Sequence, residues 1–597
     1  MPKALLSAAS GYARTLPPGA RLLALLWLEM SVFSGILFAG YLRQHFAWRN
    51  LEAAAIPYAL GWLAACAAWR LRSQLLAVAP RRTLWLTVVG TVALLAMIGA
   101  EGQWQFGGSD YSALVDVAWR QHIGQQVYKD FPCTFPPGFY LGARYAFDLF
   151  GVNWTAFVTM GCMATLVWIA WATWLLVRLL GPRPIAPLIA IAVAAMTQVV
   201  CGVWWYNPLA TLAAAIFVLS ALRLHRSPDS WLSLLSYCAS MGILLLMKAN
   251  MGAIVVAGVS IALALVGWKW TGRIAVLSTV GALASWGMLR ANGISAADVL
   301  SSYRAVAGHG LQLFWGFRDF PLWDVAANIA MLCAIAFPVA AAMSPVEKQR
   351  VWQAARSVEG RILVVAAIGG LYCGMNNGEW KFVAAAIILM ASVLFVLSLA
   401  PAGSSAKLPG ANPSTAVAAA VALCAMFTAI GCGTGWYRLR VLTVGDFFEW
   451  HTLPPRQAPP FFKGLVAGHR FNETLDQIES LLHERSYQNV FFGPRLAFAY
   501  AAFGRPSPNR QPIWFQKGTF FPADREPEIL RIWEESNFDL LIYAKNDFTH
   551  YSPVFLELIR RHYTRDDSLT RLTLFHRNGP PAAARAGRSA DQARLNP

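Results

Sequence analysis

Gly107-Gly108-Ser109-Asp110-Tyr111 opens a stretch that sets a carboxylate at the edge of a membrane. It continues through residues 112–123, Gly124, Tyr128-Lys129-Asp130-Phe131 and Pro136-Pro137-Gly138-Phe139-Tyr140 to Leu149-Phe150-Gly151. Long apolar segments flank it, near 83–100 before and 154–177 after. Residues 112–123 have the spacing of a short amphipathic helix, and the Pro-Pro-Gly turn sends the chain back toward the bilayer. Asp110 stands at the start of that helix, where a lipid-borne substrate could meet it.

The surrounding composition is that of a polytopic membrane protein. Of 597 residues, 57% are hydrophobic and 13% charged, against about 25% charged in soluble domains. Apolar runs of about 20 residues recur along the chain, each long enough to cross a bilayer as a helix. The formal net charge of +18 could suggest nucleic acid. Most of the basic excess sits in short connections between spans, however, and no solvated basic patch with aromatic platforms is present. Nucleic acid is therefore not an expected partner. The nine cysteines are scattered, mostly within apolar segments, without a CxxC pair. Neither a disulfide framework nor a zinc site is indicated.

About thirteen spans are expected, near 22–41, 53–70, 83–100, 154–177, 184–201, 207–222, 231–247, 250–267, 274–289, 324–343, 362–376, 381–399 and 414–434. Arg70, Arg72, Arg81 and Arg82 fall on one side of this layout, as do Arg178, Arg183, Arg223, Arg226, Lys269, Arg273, Lys348, Arg350, Arg356 and Arg361. The positive-inside rule makes that side cytoplasmic and puts the loops 101–153, 290–323 and 376–380 outside. The basic N-terminus, with Lys3, Arg14 and Arg21, runs into a full-length span without a small-residue cleavage site, so no removed signal peptide is expected.

Residues 1–434 then form a membrane module, 435–579 an extracytoplasmic α/β domain and 580–597 a low-complexity tail. In the α/β domain, residues 471–485, 526–535 and 553–562 read as helices, and 489–492, 538–543 and 570–576 as strands. No GxGxxG or phosphate-binding loop occurs there, and no strong internal repeat of the inverted-repeat kind is visible.

Asp110 is the leading candidate for chemistry. A carboxylate just outside a span can take the proton of a hydroxyl nucleophile. It can equally cap the helix that follows, and the two roles coexist only if Ser109 caps while Asp110 faces a cleft. Asp116 lies roughly 120° away around the helix, so the two carboxylates do not share a face. Asp116 and Arg120 have the i,i+4 spacing of an ion pair. Lys248, Arg304, Arg318 and Lys381 are external cations suited to a phosphate group. Lys248 stands between two apolar segments, where a charge is costly. Tyr128 and His309 complete the candidate substrate contacts, beside Trp315 and Trp323 in the 301–323 loop. Carboxylates are too sparse near Asp110 to assign a metal.

Assembled, these features resemble the GT-C superfamily of integral-membrane glycosyltransferases. The resemblance rests on Asp110, the amphipathic helix, Gly124, Tyr128-Lys129-Asp130-Phe131, Pro136-Pro137-Gly138 and Leu149-Phe150-Gly151 in the first large external loop. The body of spans and external α/β domain resemble bacterial members related to protein O-mannosyltransferases and lipid A aminoarabinose transferases. Two features differ. Three spans precede the loop where the family commonly has one, and Ser109 and Tyr111 flank a single aspartate where many relatives carry an acidic pair.

The resemblance implies a multi-pass protein of a bacterial inner membrane whose loop aspartate, here Asp110, is the catalytic base. It implies a polyprenyl-phosphate-linked hexose or pentose as donor, a lipid, glycan or protein hydroxyl as acceptor, and inversion at the anomeric carbon. No nucleotide is required. The rival expectation is a polyprenyl-lipid or glycolipid transporter that moves its cargo without chemistry.

Overall fold

The computed structural model describes parts of 60–71, then residues 80–304 except 104, 105, 107, 108 and 200. It also describes 345–376, 381–398, 417, 420–432 and, with short interruptions, 459–578. The expected spans 22–41 and 324–343, the candidates His309 and Arg318, and the tail 580–597 lie outside the described residues.

Helices dominate. In chain order they are α1 (Pro80–Gly102), α2 (Ser109–His122), α3 (Pro137–Phe150), α4 (Trp154–Leu180), α5 (Ile185–Ala194), α6 (Tyr206–Arg226), α7 (Trp231–Met247), α8 (Ala249–Ala264), α9 (Trp268–Ala291), α10 (Pro345–Arg356), α11 (Val358–Asn376) and α12 (Lys381–Ser398). After these come an apolar helix at Ala420–Cys432, then α13 (His469–Glu484), α14 (Phe498–Ala502), α15 (Glu526–Glu535) and α16 (Pro553–His562). Four strands interleave with the last of them: β1 (Val490–Phe492), β2 (Leu540–Ala544), β3 (Tyr563–Asp566) and β4 (Leu572–Arg577). Among the described residues α1, α4, α6 and α9 are long and apolar enough to cross a membrane.

The chain divides into two compact units. The first takes residues 1–101, 161–287 and 314–438. Its core surrounds α6, buried along nearly all its length by small and branched side chains from Asn207 to Leu224. Two hydrogen bonds tie polar atoms inside it: Trp168 Nε1 donates to the Leu212 carbonyl at 2.6 Å, and Ser220 and Ser236 share a 2.7 Å bond. By contrast α1 and α9 turn Trp85, Leu86, Val89, Val276, Leu283 and Trp286 outward. Apolar faces of this extent suit a hydrocarbon surrounding rather than water.

Basic residues of three connections of this unit meet. Arg226 donates to Glu359 at 2.6 Å and to the Leu179 carbonyl at 2.5 Å, and Arg223 reaches the Arg178 carbonyl at 3.5 Å. The expected span 184–201 is helical only to Ala194 and then widens into a π-turn over Ala195–Val199.

The second unit joins 102–160 and 288–313 to 439–597. Its sheet has the order β1-β2-β4-β3. β1 and β2 run parallel with Val490 opposite Leu540, while β4 is antiparallel to both β2 and β3. β2 is buried at all five positions, as expected of a strand covered on both faces. Amphipathic α15 and α16 supply Ile529, Leu530, Trp533, Phe555 and Ile559 to an aromatic core with Phe491, Phe538 and Tyr543. Ser552 caps α16, its hydroxyl accepting from the Phe555 amide at 3.1 Å, and Arg560, Arg561 and His562 occupy the last turn, where the helix dipole favours cations. The short strand β3 carries Thr564 and Arg565, both exposed, so it lacks the continuous apolar run that marks β1 and β2.

Candidate active site

In the second unit the chain leaves α1 and is pinned at once by Phe106, which is fully buried. Its ring lies 4.9 Å from Trp154, 4.8 Å from Phe462, 5.2 Å from Phe471 and 5.0 Å from Phe498. These edge and tilted contacts are the arrangement aromatic quadrupoles favour. Three residues later α2 begins. Asp110 lies in its first turn and is exposed, next to helix N–H groups whose partial positive charge favours an anion. Tyr111 packs edge-on against Trp154 at 5.6 Å.

Beyond its first turn α2 is buried nearly all round, with every residue from Ser112 to Ala118 buried. Within that apolar setting sits the ion pair read from the i,i+4 spacing. Arg120 Nε donates to Asp116 Oδ2 at 2.9 Å, with both side chains at 2% exposure or less. The pair is therefore not a solvated surface contact. Ser507 donates to Asp116 Oδ1 at 2.6 Å, and Arg120 Nη1 donates to the carbonyls of Pro508 at 2.7 Å and Gln511 at 3.1 Å. Burial pushes the Asp116 carboxyl above its ordinary range, opposed by the Arg120 guanidinium and the Ser507 hydroxyl.

Beyond α2 the chain turns on Asp130, whose carboxylate accepts from the Gln126 amide at 2.7 Å, while the Tyr128 amide donates to Phe131 at 2.9 Å. The turn holds Tyr128 at φ 69°, a left-handed conformation uncommon outside glycine and a form of strain that concentrates at functional sites. Tyr128 stands 6.2 Å from the Tyr140 ring. Burial raises the phenols of Tyr128, Tyr140 and Tyr303 and pushes the Cys133 thiol up to about 12. All four are therefore neutral near pH 7. Ser302 donates to the Cys133 carbonyl at 2.6 Å, which docks the helical residues 296–304 on this turn. Arg304 is exposed at the end of that segment. Asp110, Tyr128 and Arg304 thus belong to one unit.

Lys248 belongs to the other. It interrupts the hairpin between α7 and α8 in an extended conformation, φ −163° and ψ 95°. Gly252 lets the two helices approach closely here, since a Cβ there would lie 3.2 Å from the Leu245 Cα. Lys248 is 9% exposed. Its ammonium donates to Asn207 Oδ1 at 2.6 Å and lies 5.3 Å from the Tyr206 ring centre. A charge buried between apolar helices is maintained for function more often than for stability. Lys381 is the first residue of α12. Among the described residues no group of three or more His, Cys, Asp or Glu side chains is placed to hold a metal ion.

Sequence reading did not single out Ser507, Gln511 or Trp119. The usable signal was the apolar flank of Asp116: Val115, Val117 and Ala118 are all fully buried, as is Asp116 itself.

The sequence matches no family model and no curated protein. The structure is similar to that of ArnT from Cupriavidus metallidurans in the apo state, with 13% identity, TM-score 0.49, and 84% of this chain and 100% of that one covered. It is similar to the same protein bound to undecaprenyl phosphate, with 12% identity, TM-score 0.48, and coverage of 83% and 99%. A third similarity is to the Archaeoglobus fulgidus oligosaccharyltransferase in complex with zinc and sulfate, with 14% identity, TM-score 0.41, and coverage of 77% and 68%.

Proposed function

We propose that this chain is a GT-C type membrane glycosyltransferase that moves a sugar from a polyprenyl-phosphate donor to an acceptor hydroxyl on the extracytoplasmic face, with Asp110 as general base. The observation that carries the reading is Asp110 itself: an exposed residue in the first turn of a helix that is buried nearly all round from Ser112 to Ala118. Such a group can receive a proton from solvent-borne substrate without moving its support. In the reaction the acceptor hydroxyl gives its proton to Asp110 as its oxygen bonds to the anomeric carbon. The bond from that carbon to the phosphate oxygen breaks, the electron pair leaves with the lipid phosphate, and configuration inverts.

We assign Lys248 as a cationic partner for the phosphate, because a lysine only 9% exposed in an apolar hairpin is suited to charge that gathers on a leaving group. Tyr128, Arg304, Lys381, His309 and Arg318 are assigned as further substrate contacts. The meeting of Arg178, Arg223 and Arg226 with Glu359 in the first unit supports a single basic, cytoplasmic side.

The test is transfer by the purified full chain in nanodiscs, offered a panel of undecaprenyl-phosphate hexoses and pentoses with simple glycoside acceptors. Asp110→Asn should reduce transfer by about 10²–10⁴-fold while the protein stays folded. Full transfer by that variant refutes the base; lipid movement across vesicles with no transfer to any acceptor supports a transporter instead.

A further inference from the structure

The segment Arg505-Pro506-Ser507-Pro508-Asn509-Arg510-Gln511-Pro512 contains three prolines. Proline fixes φ and offers no N–H, so the backbone of such a segment is stiff and its carbonyls must find donors elsewhere. The α2 loop supplies them. Trp119 Nε1 donates to the Arg505 carbonyl at 2.8 Å, Gln125 to the Ser507 carbonyl at 2.8 Å, and Arg120 to the Pro508 and Gln511 carbonyls at 2.7 and 3.1 Å. In return Ser507 donates to Asp116 at 2.6 Å, the Arg510 amide to the Asp130 carbonyl at 2.5 Å, and the Phe498 amide to Ser112 Oγ at 2.9 Å. These bonds bridge residues about 380 to 390 apart in sequence.

Their places on the helix are informative. At ~100° per residue, Ser112, Asp116, Trp119 and Arg120 fall roughly 180–280° around from Asp110. The anchored stripe thus runs from directly opposite Asp110 to about 80° from it, off the face that carries the carboxylate. Fixing the stripe fixes the rotation of α2, and the rotation sets where the Asp110 carboxylate points. A slip of one residue would turn it by ~100°, whereas productive geometry tolerates only about 10–20°.

We propose that Asp116, Arg120 and Ser507 are positioning residues: the proline-stiffened segment 505–512 is a template that sets the rotation of α2 and so aims Asp110. The inference rests on the reading of Asp110 as base, and it gives the C-terminal α/β region a role in transfer without requiring it to touch either substrate.

The experiment uses the full chain in nanodiscs with Ser507→Ala, Ser507→Thr, Trp119→Phe and Asp110→Asn variants. Three readouts are taken: steady-state transfer with whichever undecaprenyl-phosphate sugar the wild type accepts, binding of undecaprenyl phosphate alone, and amide exchange in residues 112–121. Ser507→Ala should lower kcat about 10- to 100-fold, the size expected for a misplacement of up to about 1 Å. Lipid binding and KM should stay within about twofold, and α2 amides should exchange at least tenfold faster.

Ser507→Thr, which keeps the hydroxyl, should restore both kcat and protection. Trp119→Phe removes a single bond and should show the same pattern more weakly, which guards against a Ser507→Ala protein that fails to fold. Unchanged kcat in folded Ser507→Ala and Trp119→Phe proteins, with Asp110→Asn inactive, overturns the template while leaving the base intact. Active Asp110→Asn overturns the base, and faster α2 exchange in Ser507→Ala would then still support the template. Unchanged exchange overturns it in either case.

Discussion

Replacing Phe106 by alanine should loosen the whole support of the candidate base. The ring is fully buried and meets four aromatic partners between 4.8 and 5.2 Å away. Three of them, Phe462, Phe471 and Phe498, come from segments far along the chain. Truncating a buried phenylalanine costs about 3–5 kcal/mol through lost transfer free energy and the cavity left behind. At about 1.4 kcal/mol per tenfold, amides that exchange only when this unit opens should exchange roughly 100- to 3,000-fold faster.

Hydrogen exchange of α13 and α14 in nanodisc-embedded protein reads this directly. Phe106→Leu fills most of the space and should accelerate exchange only about tenfold, chiefly through lost aromatic pairing at about 0.5–1.5 kcal/mol. The α7–α8 hairpin in the other unit should keep wild-type protection. Acceleration below tenfold in Phe106→Ala would refute the view that this aromatic cluster holds the second unit together.

Two more outcomes follow from single groups. Cys133 is buried, and burial pushes its thiol up to about 12, so in a variant retaining only that cysteine a water-soluble maleimide should label it at pH 8 only after denaturation. Rapid labelling of the folded protein would contradict the burial. Lys248→Met should fold, with a penalty of about 1–3 kcal/mol for the buried Asn207 oxygen left unpaired, yet bind undecaprenyl phosphate at least tenfold more weakly. Native mass spectrometry titration measures this, and unchanged binding would remove Lys248 from the phosphate assignment.

Much of the local architecture was legible in the sequence because it follows from short-range patterns. Apolar runs placed α1, α4, α6 and α7 within a few residues, and alternation with turn residues placed β1, β2 and β4 along with α15 and α16. The break at Lys248 was legible because a charge between two apolar runs has few places to go. Strand β3 escaped because Tyr563-Thr564-Arg565-Asp566 holds no apolar run to detect. The π-turn at Ala195–Val199 escaped because its composition is that of ordinary helix.

The candidate site divides the same way. The sequence alone set Asp110 at the head of an amphipathic helix and Asp116 four residues from Arg120, because helical spacing is a local property of the chain. Whether that ion pair faced water or protein was a question of what packs on it, and the answer lay about 390 residues away in Ser507, Pro508 and Gln511. Hydrogen bonds of that range leave no trace in local periodicity, since each partner satisfies only ordinary loop or helix preferences on its own. Only the tertiary structure could join the proline-rich segment to the helix that carries Asp110, and with it turn a routine i,i+4 pair into the anchor of the loop.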